Sequence, residues 1–119
     1  MRICLLAFVA FALFVFSADA DWHYSCTCHN GGSYIWRITT KACDAYNQHI
    51  DSEWPDSENH VRYDTPSGRC TSVGPGGNVI DGDTMESVCK NTGTNGFPCE
   101  HDNSKTCFAN PGSISSWCD

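Results

Sequence analysis

The chain has 119 residues and a formal net charge of −7, with 14 acidic side chains against 7 basic ones. That length holds one small domain rather than two. The acidic balance disfavours non-specific binding to nucleic-acid phosphates and direct attack on anionic membranes. Nine cysteines in so short a chain point to a disulfide framework and an oxidising compartment.

Met1-Arg2 is a short basic start, Ile3 to Phe16 is an apolar run, and Ala18-Asp19-Ala20 supplies the small residues of a cleavage site. This is the pattern of a secretory signal peptide over 1–20, leaving 21–119 as a single domain. The run is shorter than the roughly 20 residues a membrane span needs, and no second one follows, so no membrane anchor is expected. Cleavage would remove Cys4 and leave Cys26, Cys28, Cys43, Cys70, Cys89, Cys99, Cys107 and Cys118. An even count implies four disulfides, each stabilising by about 2–4 kcal/mol. Structural zinc is the weaker reading, because Cys26 and Cys28 are separated by one residue instead of two and no second close pair exists.

From Trp22 to Cys28 the residues alternate, with Trp22, Tyr24, Cys26 and Cys28 on one side, which predicts a half-buried strand. Cys26 and Cys28 then share a face, so each should take a different partner rather than the other. Asn30-Gly31-Gly32-Ser33 is a turn. Tyr34 to Ile38 is compatible with either a strand extension or a staple before a helix. Thr39 or Thr40 is the expected N-cap of a helix ending near Gln48 or His49, with Cys43, Tyr46 and Ile50 recurring on its inward side. Asp51 to Asn59 is acidic and holds Pro55, so it reads as an exposed loop carrying Trp54. Val61-Arg62-Tyr63 and Cys70-Thr71-Ser72-Val73 read as a hairpin closed by 64–68.

Gly74 to Asn78 is a flexible connection. A second helix is expected from Thr84 to Asn91, opened by a capping box of Asp83 and Glu86 and stopped at Gly93, with Met85, Val88 and Cys89 facing inward. The tail from Thr94 is rich in Gly, Pro, Asn and Ser. Its order must come from Cys99, Cys107 and Cys118, with Ser116-Trp117-Cys118 as a last strand.

Cys26-Thr27-Cys28, Ile38-Thr39-Thr40-Lys41-Ala42-Cys43, Cys70 and Ile80-Asp81-Gly82-Asp83-Thr84-Met85-Glu86-Ser87-Val88-Cys89 together resemble the small secreted cysteine-rich proteins of filamentous fungi. The resemblance is to those similar to the alpha subunit of the virally encoded killer protein six of smut fungi. It implies an α+β fold: a disulfide-stapled α/β sandwich of split β-α-β, ferredoxin-like form, with an antiparallel sheet and two helices on one face. It also implies a toxin subunit or a plant-pathogen effector. The long segment between Cys43 and Cys70 departs from that pattern. So does the lack of a processing site for a second subunit, which favours a single-chain effector.

No Gly-x-Ser-x-Gly motif is present, and the five histidines have no shared spacing for a metal. Asp81, Asp83 and Glu86 read as helix capping rather than a calcium loop. A guanyl-type ribonuclease would need a carboxylate base, a His acid and cationic support. Glu58, His60, Arg62, Tyr63 and Arg69 are close in sequence, but only His101 follows as a second histidine. The expected function is therefore a non-enzymatic secreted effector, free of metal or cofactor and monomeric, that binds a host protein. The alternatives are a killer-toxin-like protein acting on a competing microbe, or a ribonuclease-like enzyme. The candidate binding surface is Trp54, Glu58, His60, Arg62 and Tyr63, with Trp54 leading because large aromatics dominate interface hot spots.

Overall fold

The computed structural model describes residues 22–74 and 77–119. The expected signal peptide and two residues of the 74–78 connection lie outside them. The elements are β1 (Trp22–His23), β2 (Ser25–Asn30), β3 (Ser33–Tyr34), α1 (Trp36–Glu53), β4 (Val61–Asp64), β5 (Arg69–Ser72), β6 (Ile80–Asp81), α2 (Gly82–Asn95), β7 (Phe97–Pro98), β8 (Thr106–Cys107) and β9 (Ile114–Cys118). β2 is the spine of an antiparallel sheet. Along one side it pairs β9, from Cys26↔Cys118 to Asn30↔Ile114. Along the other it pairs first β5 and then β3, its own hairpin partner, and β4 closes the sheet beyond β5. Two short antiparallel pairs complete the α+β fold, β1 with β6 and β7 with β8.

Cys26 and Cys28 share one face of β2, and Cys70 sits opposite Cys26 on β5. Cys28 bonds Cys89 on α2 and Cys70 bonds Cys43 on α1, so both helices lie on that same face. Cys26–Cys118 links β2 to β9, and Cys99–Cys107 closes the β7–β8 hairpin. As the sequence implied, eight cysteines make four bridges, Cys26 and Cys28 take different partners, and each helix is stapled to the sheet through an inward cysteine. The core between the layers is Ile38, Ala42, Tyr46, Ile50, Val61, Ile80, Met85, Val88 and Ile114 around the half-cystines.

Several boundaries differ from expectation. The first strand breaks at Tyr24 into β1 and β2, and Trp22 and Tyr24 are exposed while Cys26 and Cys28 are fully buried. β2 is also covered on both faces, since Ser25, Thr27 and His29 are buried too. Helix α1 begins at Trp36, capped by Ile35, and neither Thr39 nor Thr40 is its N-cap. Thr39 lies fully buried inside the helix, its hydroxyl donating to the Ile35 carbonyl and accepting from Cys28 N–H at 3.0 Å. It bolts α1 to β2, and bonding to the carbonyl four residues back lets a threonine sit mid-helix.

The stripe continues to Ile50, and α1 runs on through 51–53 before Pro55 stops it. The capping box does not form. Asp81 is the N-cap of α2, its carboxylate accepting from the Thr84 hydroxyl at 2.6 Å, while Glu86 accepts from Ser116 N–H on β9. Gly93 does not stop α2. It is buried where an added Cβ would stand 3.0 Å from Ile114 Cγ1, so its smallness serves helix–strand packing. The stop is Gly96, at φ 122°.

Candidate functional site: an aromatic cleft at the C-terminal end of the first helix

The apolar stripe of α1 ends at Tyr46 and Ile50, and the chain leaves the helix at Trp54, whose N–H bonds the Ile50 carbonyl at 2.7 Å. Ser57 N–H then bonds the Trp54 carbonyl, folding 54–57 into a turn. Two contacts fix the return to the sheet. The Asn47 amide bonds both backbone groups of Val61 at 2.8 Å, and His60 Nε2 meets Asp51 Oδ1 at 2.7 Å. From the other side, the β1–β6 pair sets Trp22 opposite Asp81. Tyr46 holds the strand leading into α2, its hydroxyl donating to the Val79 carbonyl and accepting from Asp81 N–H.

These anchors enclose a cleft of about 520 Å³ walled by Trp22, Tyr46, Ile50, Trp54, Pro55 and Val79, with Glu53 and Asp56 as its charged members. Trp22 is 60% exposed and Trp54 55% exposed. Two such indoles beside a preformed apolar recess are the composition of an interface hot spot.

The expected surface divides. Trp54 belongs to this cleft, and His60 braces the loop beside it through Asp51. Glu58 is exposed on that loop, its carbonyl accepting from His60 N–H. Tyr63 is half-buried, its hydroxyl 3.1 Å from that of Tyr34. Arg62 points to the opposite face of the sheet, where it shares a groove of about 380 Å³ with Arg69, Ser25 and Asp119. The hydroxyl and backbone groups of Ser25 tie Arg69 and the Asp119 carboxylate together. Trp22 and Val79 are cleft members that sequence reasoning missed. Nothing local marks them, because Trp22 arrives through a two-residue strand pairing with a distant partner.

The outer face of the sheet holds one further unusual group. His29 is 6% exposed, stacked on Trp117 with ring centroids 3.8 Å apart, and its Nε2 meets the Thr27 hydroxyl at 2.8 Å. Nδ1 has no partner of hydrogen-bonding geometry. Burial pushes the His29 pKa down, and the Gly32 backbone offsets this only in part. Burial also acts to raise the Asp119 carboxyl, but the Ser25 hydrogen bonds and the Arg69 charge outweigh it and leave that group below the ordinary range.

Among the described residues, no three His, Cys, Asp or Glu side chains converge to hold a metal ion, and no helix is long and apolar enough to cross a membrane. The chain matches no known protein family, no characterised protein and no solved structure.

Proposed function

We propose that this is a secreted, disulfide-stabilised binding protein, of the kind found among fungal effectors, that acts by seating part of a partner protein in the Trp22–Trp54 cleft rather than by catalysis. The observation carrying this reading is the cleft itself: two exposed indoles over a recess whose walls are pinned by Asn47, Tyr46 and His60. Four disulfides suit a small domain that must persist in an oxidising exterior. The split β-α-β, ferredoxin-like description draws support from the strand order β9-β2-β5-β4, with α1 between β2 and β4 in the chain and α2 between β5 and β9. The resemblance to the killer-protein alpha subunit accords with that order.

The test is capture of partners by the oxidised protein and by Trp54→Ala. Because Trp54 is a surface side chain, its loss should change stability by no more than about 0.5 kcal/mol. Loss of a hot-spot indole should weaken the partner complex about 30-fold. Capture unchanged in a folded Trp54→Ala protein would sink the reading.

A further inference from the structure

Resting on that reading, we infer that the cleft takes a cationic side chain, a Lys or Arg flanked by apolar residues, from a peptide segment of the partner protein. Three sources of negative potential converge on the recess. Glu53 and Asp56 are its charged members, and no Lys or Arg lines it. It opens at the C-terminal end of the 18-residue helix α1, where the partial charge of the helix dipole is negative. Its walls carry the rings of Trp22 and Trp54, whose faces attract cations.

The last turn of α1 makes the case sharper. Helix C-termini favour basic residues, yet this one has none and instead carries Asp51 and Glu53. His60 Nε2 lies within hydrogen-bond distance of Asp51 Oδ1, at 2.7 Å. Among the described residues no ion pair engages Glu53 or Asp56. The arrangement works against helix stability and is relieved by a cation supplied from outside. The apolar walls of Ile50, Pro55 and Val79 suit the methylene stem of such a side chain and its hydrophobic neighbours.

The probe is an acetylated, amidated Leu-Lys-Leu tripeptide, compared with the same peptide carrying uncharged norleucine in place of Lys. It is followed by NMR of the ¹⁵N-labelled oxidised protein, whose four indole N–H signals report separately. The Lys peptide should shift Trp22 and Trp54 and leave Trp36 and Trp117 in place. Glu53→Gln and Asp56→Asn should each weaken it about two- to fivefold, and added salt should weaken it further. Equal binding of the norleucine peptide, no effect of either carboxamide, or no indole shift up to about 10 mM peptide overturns the inference. Partner capture lost in Trp54→Ala but kept in the Glu53→Gln/Asp56→Asn double variant would remove the cation and leave the binding reading standing. Capture indifferent to Trp54 removes both.

Discussion

His29 lies on the central strand with one ring nitrogen satisfied, the other without a well-formed bond, and an exposed indole as its cover. Its folded pKa is below the ordinary 6.5, chiefly through burial. As pH falls below 6.5 the unfolded chain takes up a proton that the folded chain refuses, so stability declines until the lowered folded pKa is passed and then levels off. We expect His29→Gln to flatten this part of the stability profile between pH 7 and 5, measured by urea unfolding, even though losing the Trp117 stack lowers stability overall. Equal slopes for the two proteins would contradict the role given to His29. Asp119 acts in a separate window. Its depressed pKa makes its stabilising contribution complete above 3.8, with loss only as pH falls through the lower folded value.

At the scale of elements, two glycines outside the α-helices should respond differently to substitution. Gly96 holds φ 122°, and a Cβ there would stand 2.6 Å from Thr106 Cγ2 on β8. Gly96→Ala should therefore cost about 1–3 kcal/mol. Gly112→Ala, whose nearest contact is an ordinary 3.4 Å from Asn110 Oδ1, should be close to neutral. Equal denaturation midpoints for the two variants would refute this. The disulfides also rank. Cys28–Cys89 spans 61 residues and Cys99–Cys107 spans 8, so chain entropy alone makes removal of the former costlier by about 2 kcal/mol. Paired Cys→Ser variants compared by urea unfolding should show that order, and the reverse order would contradict it.

What could be read in advance follows the same division. Cys43 and Cys89 lie on clear helical stripes, and Cys26 and Cys28 on a clear alternation, so the stapling of helices to sheet was legible. The start of α1 was not, because Thr39 has the chemistry of a cap and spends it on Ile35 and Cys28 instead. Gly93 looked like a stop for the same local reason, and only the position of Ile114 shows that it is a packing site. β1 and β6 have two residues each, too few for any period, so the pairing that brings Trp22 to the cleft left no trace in the pattern. The exposure of Trp54 was legible from its polar neighbours, whereas its separation from Arg62 was not, because β4 sets Arg62 in a different recess from the one Trp54 lines.

On the whole molecule, these scales meet in one polarity. The disulfides and the core hold two helices on the inner face, and the free end of α1, braced by β1–β6 and by His60, presents the aromatic cleft. The outer sheet face carries Trp117, 52% exposed over His29, and Arg69 tied to Ser25. The most direct measurement is chemical-shift mapping of the ¹⁵N-labelled oxidised protein on addition of a partner captured by it. The account predicts shifts confined to Trp22, Ile50, Glu53, Trp54, Ser57, Asn59 and Val79, with Trp117, Thr27 and Arg69 unmoved. A footprint centred on Trp117 and Arg69, with the Trp54 indole unchanged, would contradict it.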